Sequence, residues 1–236
     1  MEQFYEIAGL TVKMDTFGRT EIQAQPYLVP SRETADITIC SDTASVAAKN
    51  PGMSPSHVEY LASGASFYTQ LPHHGGMLLH SSAVVVDGRA YLFTAPRKTG
   101  KSTHVQLWLK EFGDRAAILN DDKPALRCID GVWYAYGTPW SGKTGQNSNL
   151  RVPVAGIAVL ARDEQTHIEP FRGMGAVMAL LEQTVRPNDP VLTAKLLEML
   201  DTLLQQVSVW KLYCNMEQSA ARIAYQAMSA DKENTL

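Results

Sequence analysis

Two stretches of this chain carry residue types at the spacing that gathers around a polyphosphate. One is Ala95-Pro96-Arg97-Lys98-Thr99-Gly100-Lys101-Ser102-Thr103, the other Gly137-Thr138-Pro139-Trp140-Ser141-Gly142-Lys143-Thr144. In a GxxxxGK[ST] loop, backbone N–H groups cradle the phosphates, the lysine reaches the outer ones and the hydroxyl is offered to Mg²⁺. By letters the second stretch is complete, whereas the first has Ala95 for its opening glycine. Context reverses the choice, because the loop works only when a buried strand feeds it and a helix begins at its Lys-Ser. Residues 95–102 have both neighbours; after Thr144 the polar run between Gly145 and Pro153 has no apolar helical stripe. The expected phosphate contacts are therefore Arg97, Lys98, Thr99, Gly100, Lys101, Ser102 and Thr103. Arg97 and Lys98 either add charge at the phosphates or are a solvated pair, and their bulk replaces small residues.

About twenty positions after Lys101, a short apolar strand runs into Asn120-Asp121-Asp122. Phosphoryl transfer needs one carboxylate for Mg²⁺ and one to accept the proton of an attacking hydroxyl, and this pair fits. Strand side chains alternate, so both reach one site only if the backbone bends, for which Pro124 is the available cause. His80 lies near the start of a strand, where a lone histidine is more often a hydrogen-bonded structural residue. The remaining histidines have no metal-binding companion at helical spacing. No GxSxG elbow and no dinucleotide fingerprint is present.

The elements that must hold these residues follow from hydrophobic period and turn chemistry. Strands are expected over Phe4–Val12, Thr20–Leu28 (after a turn at Gly18) and Asp36–Cys40, then a helix from Ser54 to just before Pro72. His73-His74-Gly75-Gly76 reads as a flexible joint, dividing an α+β lobe (1–76) from the core (77–236). In the core, Leu78–Val86 and Ala90–Thr94 form a hairpin about Asp87-Gly88. A helix over Ser102–Phe112 stops at Gly113, and strands follow at Ala116–Leu119, Ala125–Cys128, Trp133–Tyr136 and Val154–Ala161. Helices at Ala176–Gln183 and Val191–Gln206, a strand Val207–Cys214 and a last helix after Asn215, with Gln218 at capping-box spacing, complete the chain. Interleaved strands and helices predict a mixed α/β sheet with helices packed on it.

At 236 residues and 45% apolar composition, the chain is long enough for one sizeable core. Its net charge of −3 gives no overall attraction to nucleic acid or anionic lipid. Three scattered cysteines suggest neither a disulfide framework nor a zinc site. No signal peptide and no apolar run near the ~20 residues of a spanning helix is readable, so the expectation is a cytoplasmic protein with no nucleic-acid or membrane partner.

Leu79-His80 before the hairpin, the loop ending Gly100-Lys101-Ser102-Thr103, the stretch from Ile118 to Leu126 containing Asp121-Asp122, and Tyr136-Gly137-Thr138-Pro139-Trp140-Ser141-Gly142 together resemble the HPr kinase/phosphorylase and phosphoenolpyruvate carboxykinase-like P-loop group, particularly its small bacterial kinase-like members. The likeness covers residues 77 to about 215. It implies a mixed-sheet P-loop core of that type, with ATP and Mg²⁺ as cofactors. Lys101 would hold the outer phosphates, Ser102 and Asp122 the metal, Asp121 would be the base, and His80 would lie by the transferred phosphate. Ala95, Arg97 and Lys98 depart from the group's usual loop. The cationic pairs of true carboxykinases and the extended phosphorylase signature are not found. The function expected is ATP-dependent phosphorylation of a serine-like hydroxyl on a small molecule or peptide, with Trp140, Ser141, Gly142 and Lys143 covering the substrate. The competing reading is a non-catalytic nucleotide-binding accessory protein; a general NTP hydrolase comes third, for want of a residue to orient water.

Overall fold

The computed structural model describes residues 2–230. Strands β1 (Gln3–Ile7) and β2 (Leu10–Met14) pair as a hairpin with Ile7 opposite Leu10. Its turn is Ala8-Gly9, both at positive φ as a tight hairpin turn demands, so the break in this region falls there and not at Gly18. The strand expected over Thr20–Leu28 is instead helix α1 (Gly18–Ala24) and a 3₁₀ turn, leaving only β3 (Leu28–Val29) extended. Thr20 and Ala24 are its buried residues, an i,i+4 pair, and the Thr20 hydroxyl bonds to the buried Glu59 carboxyl; tertiary packing overrides the local pattern. After β4 (Ile37–Thr38) comes α2 (Thr43–Lys49), whose Asp42 cap accepts from Ser45 N–H at 3.0 Å and which the sequence reading did not anticipate. Helix α3 (Pro55–Gln70) follows Ser54 as expected. The strands form a sheet in the order β3-β1-β2-β4.

The segment His73–Gly76 is not a loose joint. It holds the end of a 3₁₀ turn and the first residue of β5 (Gly76–Leu78), and Arg127 ties it down by donating to the carbonyls of His74 at 2.9 Å and Ala8 at 2.8 Å. The strand expected over Leu78–Val86 is broken at Leu79-His80. Strand β5 ends before the break and β6 (Ser81–Val86) begins after it, pairing with β7 (Arg89–Thr94) around Asp87-Gly88. Helix α4 (Lys101–Phe112), strands β8 (Ala116–Asp122), β9 (Ala125–Ile129), β10 (Val132–Tyr136) and β11 (Arg151–Arg162) follow. The described residues go on with β12 (His167–Pro170), absent from the sequence reading, then α5 (Gly173–Leu181), α6 (Pro190–Gln206), β13 (Val209–Cys214) and α7 (Ser219–Ala230). Asp189 caps α6 by accepting from Val191 and Leu192 N–H. Gln218 reaches Glu111 and makes no capping box.

The main sheet runs β5-β9-β10-β11-β7-β6-β8, with β13 against the far half of β11 and β12 on β13. It is mixed: β7, β11 and β13 are mutually parallel where they pair, and the other pairs are antiparallel. Along β6 the two faces alternate. Ala83 packs with Leu196, Leu200 and Leu203 of α6, whereas Val84 and Val86 pack with Trp108 of α4 and Ala224 of α7. Helices on both faces make the strands apolar on both sides, which fixes a mixed α/β fold. The apolar cluster of the N-terminal sheet continues into Leu78, Ala125, Tyr136 and Trp140.

Candidate functional site

The register of three neighbouring strands places the site. Thr94, the last residue of β7, is opposite Ser81, and Ser81 is opposite Asp122 of β8. Two inter-strand spacings, about 10 Å, therefore separate the strand that feeds the 95–102 loop from the carboxylates. Helix α4 begins at Lys101, so residues 95–102 have the strand–loop–helix context; residues 137–145 give only a 3₁₀ turn. The glycines of that second stretch have local causes. A Cβ on Gly137 would lie 1.8 Å from the Ser148 carbonyl oxygen. Gly142 has φ +63° and would press a Cβ against that of Asp122 at 2.7 Å.

Within the first loop, Gly100 adopts φ +121°, open to glycine alone, and Lys98 is left-handed at φ +66°. Ala95 is buried and not among the residues with positive φ, so the missing opening glycine costs no strain there. The guanidinium of Arg162, at the end of β11, donates to the carbonyls of Lys98 at 2.5 Å and Thr99 at 3.2 Å, bracing the loop from below. Arg97, Lys98, Ser102 and Thr103 are exposed, Thr99 and Gly100 half-buried. Lys101 is 9% exposed and donates to the Ala95 carbonyl at 2.9 Å. Burial pulls its pKa down, while Asp122 and Asp121 pull it up.

Both carboxylates lie within β8, which runs on to Asp122 instead of ending at Leu119. The pairing of β6 with β8 has a register shift between Ala83 and Val84, upstream of Asp121, and is regular again where Ser82 faces Asp121 and Ser81 faces Asp122. Asp121 is buried and its Oδ1 accepts from the Ser82 hydroxyl at 2.5 Å. Asp122 is more open: Oδ1 lies 3.0 Å from His80 Nε2, and Oδ2 accepts from the Lys123 ammonium. Burial alone would push the Asp122 pKa up, but His80 and Lys123 outweigh it and hold the carboxyl well below the usual carboxylate range. His80 Nδ1 faces Gln183 Oε1 at 3.0 Å, and its backbone N–H donates to the Gln183 carbonyl at 2.7 Å. The Asn120 side chain, fully buried, accepts from the N–H groups of Asp122 and Lys123 and donates to the Thr138 carbonyl, tying the carboxylate turn to the neighbouring loop.

The structure brings Lys101, Asp121, Asp122 and His80 together but distributes the four expected substrate residues differently. Trp140 is fully buried in the N-terminal cluster, stacked on Phe67 at 4.9 Å with its indole N–H on Ser63 Oγ, and so cannot cover a substrate. Ser141 is buried as well. Gly142 lies against Asp122, held by its N–H donating to the Tyr60 hydroxyl at 2.8 Å, and Lys143 is exposed. Trp140 therefore anchors the loop, and the part near the carboxylates is Gly142. Gln183, Ser82 and Tyr60 belong to no spaced motif in the sequence, and Asn120 and Lys123 lie within the Ile118–Leu126 stretch without a role read for them there.

Ser102 and Asp122 supply hard oxygen donors of the kind Mg²⁺ takes together with phosphate and water oxygens, and Asp122 is held ionised. The two residues thus suit that ion, provided the Lys123 ammonium yields Oδ2. Among the described residues no group of three or more His, Cys, Asp or Glu is placed to hold a metal ion. A cavity of about 950 Å³ between β12, α5 and the end of α6 lies at the opposite end of the sheet, by Ala155 and Trp210. No helix among the described residues is long and apolar enough to cross a membrane.

No protein-family model matches this chain, and no curated protein matches it. Among solved structures, the Hpr(Ser) kinase/phosphatase from Coxiella burnetii aligns with 64% of this chain and 95% of its own, at 11% sequence identity and a TM-score of 0.37. A likeness that shallow decides neither reaction nor substrate, and the functional reading stands on the site itself.

Proposed function

We propose that the protein is a kinase of the HPr kinase/phosphoenolpyruvate carboxykinase-like P-loop type, transferring the outer phosphoryl group of ATP to a serine-like hydroxyl of a small molecule or peptide in the cytoplasm. The observation that carries this reading is the convergence of a buried lysine at a strand–loop–helix turn with two carboxylates on one end of the same sheet. Lys101 holds the outer phosphates, and the 95–103 backbone with the start of α4 receives the rest. Mg²⁺, held by Ser102 and Asp122, would offset the charge on the phosphate oxygens. Asp121 takes the proton of the acceptor hydroxyl; its Oδ1 already accepts from Ser82, which leaves Oδ2 for that proton. His80, fixed by Gln183, orients Asp122 through its Nε2. The test is incubation with ATP, Mg²⁺ and a panel of hydroxy amino acids and peptides, read by mass; a phosphorylated product lost in Asp121→Asn supports it, and no product with any acceptor tells against it.

The contact of Lys123 with Asp122 Oδ2 favours a second reading, a nucleotide-binding accessory protein without turnover, because that ammonium competes with a metal for the same oxygen. Tight ATP binding that is indifferent to Mg²⁺ would favour it.

A further inference from the structure

Beside the 95–102 loop, on the side away from the carboxylates, is a cavity of about 620 Å³. Thr99 and Gly100 of the loop and Thr103 of α4 line one edge, so the cavity and the candidate phosphate site share residues. We infer that this cavity receives the nucleoside end of the nucleotide, an inference that rests on the phosphate-binding reading of the loop.

Size, polarity and position support it. The volume lies in the range of roughly 300–1,000 Å³ typical of small-molecule sites. Leu107 and Leu160, with Ala161, Cys214 and Met216, give an apolar wall suited to a base. At the rim stand Asp163 and Glu164, both exposed, whereas the loop carries Arg97, Lys98 and Lys101. Charge thus reverses from the loop to the far rim. Such a gradient repels a second anion from the cavity and suits a group whose polar atoms are hydroxyl and amino donors, as on a ribose and a base. The cation nearest the junction, Arg162, points its guanidinium at the loop carbonyls and leaves the acidic rim unneutralised by that contact.

The floor supplies an independent observation. His104 is 2% exposed, and its Nε2 accepts from the Trp108 indole N–H at 3.0 Å, which leaves the ring proton on Nδ1. That Nδ1 has no hydrogen-bond partner, and among the described residues it is the buried unpaired side-chain nitrogen of a residue lining this cavity. A buried donor without an acceptor is costly; the atom has no open surface on the cavity, so an acceptor on a base would meet it only once the lining shifts on binding.

Cys214 on the wall gives a test in the unmodified protein. The protein is treated with N-ethylmaleimide in the presence of ATP or of inorganic tripolyphosphate, and each cysteine's alkylation rate is read by peptide mass, with binding measured by calorimetry. Occupancy of the cavity should slow Cys214 by about fivefold or more with ATP and leave it unchanged with tripolyphosphate, since alkylation follows thiol access. Cys40, exposed, and Cys128, which lines a different cavity, serve as references. If both ligands bind and compete while Cys214 reacts equally fast with either, the nucleoside lies elsewhere and the inference fails with the phosphate reading intact. If neither ligand binds, the phosphate reading itself fails and takes this inference with it. In a folded Ala161→Trp variant, which fills the cavity from β11, ATP affinity should fall by about tenfold or more with tripolyphosphate affinity within about twofold; equal loss of both overturns the inference.

Discussion

His80 Nε2 and Asp122 Oδ1 face each other at 3.0 Å, and each sits where the chain crosses from one half of the main sheet to the other. The first crossing runs from β5, paired with β9, to β6, paired with β8; the second runs from β8 back to β9 through Lys123-Pro124. The two crossings lie side by side, so a histidine and a carboxylate from distant parts of the sequence meet at the seam. Thr94, opposite Ser81, donates its hydroxyl to the His80 carbonyl at 2.9 Å, which locks the seam to the strand that feeds the phosphate loop.

Lys101 and Lys143 each follow a glycine in a candidate phosphate loop, yet only Lys101 opens a helix after a buried strand. Lys101→Ala should weaken ATP binding by about 1.5–3 kcal/mol, the range for a lost hydrogen bond to a charged group, and Lys143→Ala should leave it nearly unchanged. Titration with a fluorescent ATP analogue measures both; abolition of binding by Lys143→Ala alone would move the phosphate site to residues 137–144.

Asp121 and Asp122 should fail differently. Asparagine is nearly isosteric but a poor base and a weaker ligand for a hard cation. Asp121→Asn is expected to lower turnover by roughly 10²–10⁴ with ATP still bound. Asp122→Asn should instead move the Mg²⁺ requirement to higher concentration. A Mg²⁺ titration of turnover in wild type and both variants separates them, and full turnover in Asp121→Asn would remove it as the base.

Lys98 holds a left-handed backbone that costs an L-residue roughly 1 kcal/mol over glycine. Lys98→Gly should therefore raise the melting temperature slightly while removing one loop cation. If ATP affinity falls in the same variant, the cation contributes to phosphate binding; if affinity is unchanged or rises, Lys98 is a solvated side chain.

Much of this arrangement was legible in the sequence where local rules act alone. The Asp87-Gly88 hairpin, the α4 start at Lys101 and the Asp189 cap each follow from residue type and spacing. Thr20–Leu28 misled because its β-branched and apolar residues suit a strand until Thr20 finds Glu59. The break at Leu79-His80 was invisible, since both flanking segments are apolar and only pairing with different partners interrupts them. The lysine and the two aspartates were readable as motifs. Gln183 and Ser82, which orient them, arrive through tertiary contacts that no short pattern encodes, whereas Asn120 holds the carboxylate turn by local bonds to the N–H groups of Asp122 and Lys123.

Trp140 is a stability determinant, fully buried between α3 and the main sheet, with Gly64 leaving room for its indole. Trp140→Ala should cost about 3–5 kcal/mol in chemical denaturation, the usual range for a buried tryptophan. Trp140→Phe should cost less, because it keeps the stacking on Phe67 and loses the bond to Ser63. A Trp140→Ala variant of wild-type stability would return the indole to the substrate side.

His104 gives the chain a pH-dependent stability whose direction follows from its burial. Desolvation by burial lowers its pKa from 6.5 to about 4, because the charged ring loses its hydration in the fold. Above pH 6.5 the imidazole is neutral in folded and unfolded chain alike, and its contribution is fully present. As pH falls below 6.5 the unfolded chain takes up the proton and the folded chain does not, so stability drops until the folded ring also titrates near pH 4. The full loss over that window is roughly 3 kcal/mol. His104→Gln can keep an acceptor for the Trp108 indole and has no proton to gain. Urea unfolding of both proteins at intervals from pH 7.5 to 4 should show wild type losing stability relative to the variant by that amount, mostly between pH 6.5 and 4. A constant difference across the range would mean that the folded ring titrates as freely as the unfolded one and that the pocket around it is open to water.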